Sequence, residues 1–154
     1  MMGGGGQQQL QQLSQELEAI DEEIGELEGE IDDLQTRQSE IDDAIEAVQT
    51  LESGSMVQVP LGGGAYIRAE VQDIDEVIVD LGGGYAAEQD QGDAVEALER
   101  KRDVLDDRID DVQDEISELE AESDEIEQQA QQMQQQMQQQ QMQQLQQQQQ
   151  GDDE

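Results

Sequence analysis

The chain has no cysteine, histidine, tryptophan or phenylalanine, and its only aromatic side chains are Tyr66 and Tyr85. Without cysteine there are no disulfides and no thiol chemistry. Without histidine as well, most zinc sites lose their ligands, and no side chain normally titrates near neutral pH. Only 33% of the residues are hydrophobic and 1% aromatic. That excludes a thick three-dimensional core, although 154 residues would ordinarily make one globular domain. A coiled-coil seam, which uses about two apolar positions in seven, suits this economy.

Long apolar runs are missing too. The longest are three residues, as at Val77–Val79, too short for a bilayer span or a signal-peptide core, so a cytoplasmic protein is the expectation. Gln7 stands where a myristoylation signal beginning at Gly3 requires Ser or Thr, and residues 1–9 read as a flexible start.

Basic residues are scarce: six against 41 acidic ones, for a formal net charge of −35. Such a surface excludes nucleic-acid or anionic-membrane binding through a basic patch. It also points to a salty cytoplasm, because the Debye length falls from about 10 Å at 0.1 M salt to about 3 Å at 1 M, where the self-repulsion becomes tolerable. A halophilic source is expected.

What the chain does have is periodicity. Leu10, Leu17, Ile24, Ile31, Gln38 and Ile45 occupy a positions, and Leu13, Ile20, Leu27, Leu34, Ile41 and Val48 occupy d, so that Gln38 alone interrupts an apolar seam. A first helix is predicted over residues 10–53, about 60 Å long from Leu10 to Leu51, stopping near Ser53 and Gly54. A second is predicted over 92–137, with Asp93 as N-cap and Glu96 at the capping-box spacing. Its seam runs Val95, Leu98, Arg102, Leu105, Ile109, Val112, Ile116, Leu119, Ser123, Ile126, Ala130, Met133 and Met137, with Arg102 and Ser123 as exceptions. Two such seams with a turning segment between them fit an antiparallel pair. Leu10 then lies near Met133, and Gln38 and Ile41 lie near Arg102, where the polar seam residues can help fix alignment.

Between the helices, over residues 54–91, the period changes to two. Val57, Val59 and Leu61 share a face, as do Ile67, Ala69 and Val71, then Val77, Val79 and Leu81, with Tyr85 and Ala87 following. Gly62-Gly63-Gly64 and Gly82-Gly83-Gly84 mark turns, and Gln72 to Asp75 a connection, giving two β-hairpins. Four short strands with one apolar face cannot cover themselves, so this segment is expected to pair with sheets of other subunits. Residues 138–154, rich in glutamine, are expected to be a frayed or disordered tail. The fold class is therefore mainly α with a small β segment, a coiled-coil hairpin whose helices are joined by two β-hairpins.

Chemistry has little foothold. Neither glycine triplet is followed by Lys-Ser or Lys-Thr or clearly opens a helix, so neither reads as a phosphate loop. Asp73, Asp75 and Asp80 invite a calcium loop, but Val77 and Ile78 stand where it needs an oxygen ligand and a glycine. Carboxylate pairs abound, yet no core exists to desolvate one and separate the pKa values. No catalytic residue, metal site or cofactor is assigned. Gly25 and Gly29 sit at outward heptad positions, each costing about 1 kcal/mol relative to Ala, and read as tolerated surface drift, with deliberate softness of the arm as the alternative. The end layers of the seam combine Leu10, Leu13 and Leu17 with Ile126, Ala130, Met133 and Met137. Such layers fray, and methionine adapts to many apolar partners.

The order helix, two β-hairpins, helix, with the segments Val59-Pro60-Leu61-Gly62-Gly63-Gly64-Ala65-Tyr66 and Val77-Ile78-Val79-Asp80-Leu81-Gly82-Gly83-Gly84-Tyr85, resembles the α class of the archaeal prefoldin family over roughly residues 10–137. The resemblance implies an ATP-independent holdase chaperone. Two α and four β subunits would join through their hairpins into a β-barrel platform carrying coiled-coil arms. By this likeness Val57, Val59, Leu61, Ile67, Val71, Val77, Val79, Leu81 and Tyr85 serve subunit assembly. The seven end-layer residues bind non-native polypeptides, which pass to a group II chaperonin. A structural coiled-coil adaptor and an acidic nucleic-acid mimic are the alternatives, and the β segment speaks against the mimic.

Overall fold

The structure is a computed structural model that describes residues 3–151. Six elements follow one another: α1 (Gly3–Thr50), β1 (Met56–Gly62), β2 (Ala65–Glu70), β3 (Val77–Gly82), β4 (Tyr85–Gln89) and α2 (Gln91–Gly151). They fall into two compact units, one made of residues up to Ile31 and from Asp111 onward, the other of Asp32–Asp110.

α1 starts before and α2 ends beyond the expected boundaries, while α1 stops at Thr50, short of the expected residue 53. α1 already includes residues 3–9, predicted to be flexible, and α2 continues through the glutamine-rich segment to Gly151, where a frayed or disordered tail was expected. Residues 1–2 and 152–154 of those two segments lie outside the described residues. The physical reason for the longer α2 is local: glutamine loses little rotamer freedom in a helix, so intrinsic propensity carries the turns that have no seam. Residues 141–151 are correspondingly all exposed.

In the unit containing both chain ends, Ile20, Val112 and Ile126 are buried and the other seam residues half-buried. Leu13 and Met133 line the same small groove, and a Cβ built on Gly6 would meet Met137 Sδ at 3.1 Å. This is the antiparallel neighbourhood expected around Leu10 and Met133.

In the Asp32–Asp110 unit the seam residues Leu34, Ile45 and Ile109 are buried. The polar seam residues meet as expected, though not side chain to side chain. Gln38 Nε2 donates to the Arg102 carbonyl at 3.4 Å and also to the Asp106 carboxylate, while Arg102 Nη1 pairs with Asp42 Oδ1 at 2.7 Å. The hydrogen bond and charge of Asp42 push the Arg102 guanidinium up from its ordinary pKa.

The start of α2 is capped three residues earlier than predicted. Asp90 Oδ1 accepts from the Asp93 N–H at 2.7 Å, and the Ala94 N–H bonds the Asp90 carbonyl at 2.9 Å, making Asp90 the N-cap. Gln91, the first residue of α2, sends its side-chain amide to the Val48 carbonyl at 2.6 Å and the Leu51 carbonyl at 3.4 Å. It thereby satisfies carbonyls that the end of α1 leaves without a helical partner.

Candidate functional site

Each β-hairpin is its own two-stranded sheet. β1 pairs antiparallel with β2 (Val57 opposite Ala69, Val59 opposite Ile67), and β3 pairs antiparallel with β4 (Val77 opposite Gln89, Val79 opposite Ala87). Both turns use the left-handed backbone that glycine adopts without a Cβ penalty, with φ of +60° at Gly63 and +62° at Gly83. Both hairpins carry a register shift just before the turn, between Pro60 and Gly62 and between Asp80 and Gly82. Leu61 and Leu81 are the extra residues and have no cross-strand partner, so the strict alternation expected of them stops one residue short. Val71 lies just past β2 and is held by a hydrogen bond from its N–H to the Ser55 carbonyl at 2.8 Å.

The nine β-segment residues expected to serve assembly divide into two groups. Val59, Leu61, Ile67, Leu81 and Tyr85 are exposed, and Val57, Val71 and Val77 are half-buried. Val79 is 4% exposed because it packs on Ala94 and Ala97 of α2, with Val48, Val77 and Leu98 around them. Val79 is thus covered by its own chain. Sequence reasoning missed Met56, Tyr66 and Ile78, three further exposed apolar residues of the hairpins. It also missed a signal that was present: Val57-Gln58-Val59-Pro60-Leu61-Gly62-Gly63-Gly64 recurs as Val77-Ile78-Val79-Asp80-Leu81-Gly82-Gly83-Gly84. An isolated two-stranded hairpin is at best marginal in water, and its outer edges keep unpaired N–H and C=O groups. This surface can therefore accept further strands and further apolar cover.

The seven end-layer residues gather in the unit that holds both chain ends. Ile126 is buried, and Leu10, Leu13, Leu17, Ala130, Met133 and Met137 are half-buried in the seam. None is displayed outright. Glutamines 9, 12, 129, 132 and 136 line the groove around Leu13 and Met133, and farther along α2 the apolar side chains Met142 and Leu145 are 71% and 60% exposed. Those two residues lie off the heptad seam, which is why seam reading did not single them out. No group of three or more carboxylates among the described residues is placed to hold a metal ion, and no described helix is long and apolar enough to cross a membrane.

Comparison with known proteins agrees with this architecture. The family model for prefoldin subunits matches residues 20–141. Prefoldin subunit alpha of Halorubrum lacusprofundi is 73% identical over 108 residues, 70% of this chain and 71% of that protein. The Haloarcula marismortui subunit alpha is 59% identical over 101 residues, 66% of each chain, and the Methanosarcina acetivorans one is 33% identical over 62% of this chain and 66% of that protein. Among solved structures, a chain of filamentous prefoldin from Methanocaldococcus jannaschii, determined by cryo-electron microscopy, superposes with a TM-score of 0.51 at 24% identity, covering 77% of this chain and 95% of that one. That likeness speaks for the fold. Helices, paired hairpins and relatives together show that the chain belongs to the prefoldin subunit family, on the side of the α subunits of halophilic archaea.

Proposed function

We propose that this chain is an α-class subunit of an ATP-independent holdase that acts in the cytoplasm by binding rather than by catalysis. Its hairpins join single-hairpin β subunits, two α with four β. The end layers of its coiled coil hold non-native polypeptides, and the assembly hands them to a group II chaperonin. The observation that carries the capture step is the composition of the helix ends. Half-buried Leu10, Leu13, Leu17, Ala130, Met133 and Met137 lead on α2 to the exposed Met142 and Leu145, on a helix otherwise coated with glutamine.

Such a surface has apolar side chains that yield to many shapes and almost no fixed hydrogen-bond pattern to enforce specificity. Each contact is weak. Several arms acting on one client raise the effective concentration of the next contact, so avidity replaces affinity. Trimming the chain before Leu17 and after Ile126 tests this. The trimmed subunit should still assemble, as measured by the mass of the complex, and should lose suppression of aggregation of a denatured client protein. Retained suppression would place the client surface elsewhere.

A further inference from the structure

Three of the six basic side chains, Arg37, Arg100 and Lys101, line one groove of about 900 Å³ within the Asp32–Asp110 unit. In a chain with 41 carboxylates, each should find an acidic neighbour easily. None of the three has a carboxylate within ion-pair distance among the described residues. Arg100 Nε reaches only the Glu96 carbonyl at 3.4 Å, and Lys101 Nζ the Asp80 carbonyl at 2.8 Å. Glu40 and Asp80 also line the groove, and Asp80 already accepts the Gly82 N–H through Oδ1 at 2.9 Å.

The groove floor is apolar and unfinished. Ala94 and Ala97 form a stripe on α2 that hairpin β3–β4 covers through Val79. Two turns beyond Ala97 and past Lys101, Val104 stands on the same helix face, 65% exposed at an outward heptad position where its neighbours Asp103, Asp106 and Asp107 are charged. Leu81, 54% exposed, overhangs the same groove from the β3 bulge.

We propose that this groove seats an acidic amphipathic helix contributed by a neighbouring prefoldin-family subunit. Charge complementarity selects the chemistry: unpaired cations around an apolar floor, on a protein otherwise strongly negative, match an apolar stripe flanked by carboxylates. Geometry selects a helix. The cations stand on two different walls, Arg37 on α1 and Arg100 and Lys101 on α2. Only a helix presents an apolar stripe with a carboxylate flank on each side, whereas a strand alternates its side chains between opposite faces. A neighbouring subunit is the source because the groove includes Leu81 and Gly82 at the end of β3, so a subunit pairing with this hairpin arrives beside it. The inference rests on the assembly reading above but uses a surface apart from β1 and β2.

The chain lacks cysteine, so Val104→Cys supplies a unique thiol for the test, with Gln139→Cys as an exposed control. Each variant, checked for intact helicity by circular dichroism, is reacted with a maleimide at high salt, alone and in complex with a β-class prefoldin subunit. A benzophenone-maleimide on the thiol at position 104 then maps the neighbour. The groove predicts that assembly slows labelling at position 104 by about tenfold or more through loss of access and leaves the control rate unchanged. The crosslink should fall on an acidic helical segment of the partner. R100E should weaken partner binding by about tenfold, less as salt rises. A complex of the expected mass in which position 104 reacts as in the free chain overturns the groove and leaves assembly standing. So does a crosslink to a second copy of this chain or to a non-acidic segment. Failure to form any complex overturns both.

Discussion

The two hairpins share a first strand and turn that are near copies in sequence, and differ in second strand and in surroundings. Each reads Val-x-Val-x-Leu-Gly-Gly-Gly, each carries a bulge at its leucine, and each turns through a central glycine at almost the same φ. Yet Val79 is 4% exposed and its counterpart Val59 is 41% exposed, with the cross-strand neighbour of Val59, Ile67, at 52%. Hairpin β3–β4 precedes α2 directly and finds Ala94 and Ala97, side chains small enough for a valine to sit on. Hairpin β1–β2 has no such stripe beside it. One hairpin is therefore completed within the chain at Val79, while the other, half-buried at Val57 and Ala69, leaves Val59 and Ile67 open to water, which is the condition of a surface awaiting a partner.

The same charge placed at both equivalent valines should have very different effects. Val79→Asp buries a carboxylate among Ala94, Ala97 and Val77 and should destabilise the isolated chain by about 3 kcal/mol or more in urea unfolding. Val59→Asp should change it by no more than about 0.5 kcal/mol, because that side chain already meets water, while abolishing complex formation with a β-class subunit. Equal costs in the isolated chain would mean that the hairpins are covered alike.

Alanine in the turns should erase the difference. At Gly63 and Gly83 the backbone is left-handed, and an added Cβ meets nothing within 4 Å at the first and only ordinary contact, 3.9 Å from Tyr85 Cδ2, at the second. The cost is then purely that of the backbone, about 1–2 kcal/mol at each site, with asparagine in the same places costing less. Unequal costs, measured by thermal unfolding of the two single variants, would point to a packing role for one turn that its geometry does not suggest.

The smallest effect separates the hairpins again. Asp90→Ala removes the N-cap of α2 at the corner where β4 enters the helix and should cost about 1 kcal/mol. Hydrogen exchange should quicken at the Asp93 and Ala94 amides and in β4, and stay unchanged in β1 and β2. A matching change in β1 and β2 would show the two hairpins to be one cooperative element.

Much of this architecture could be read from residue spacing because a seam is a local pattern. Ile20, Leu34, Ile45, Ile109, Val112 and Ile126 are buried where the heptads put them, and Gln38 meets Arg102 as antiparallel pairing requires. Boundaries were harder, for energetic reasons. Asp90 and Asp93 offer the same chemistry at neighbouring sites, and only the bond from the Asp93 N–H to Asp90 identifies the cap. The glutamine-rich run has helical propensity without a seam, so a reading based on seams ends its helix too early. The uneven cover of the two hairpins was out of reach, because the burial of Val79 comes from Ala94 and Ala97, which folding brings against it. Val104 was passed over for a related reason: it sits outside the seam, and its significance comes from Arg37, Arg100 and Lys101, brought beside it by folding.

Hairpin β1–β2 leaves Val59 and Ile67 uncovered by its own chain, where another subunit can cover them. Hydrogen–deuterium exchange at high salt, comparing the chain alone with its complex with a β-class prefoldin subunit, tests this most directly. Exchange in β1 and β2 should be fast in the free chain and strongly slowed in the complex, with a smaller change in the inner pairing of β3 and β4. A complex of proven mass in which the β1 and β2 amides exchange as fast as in the free chain would contradict it.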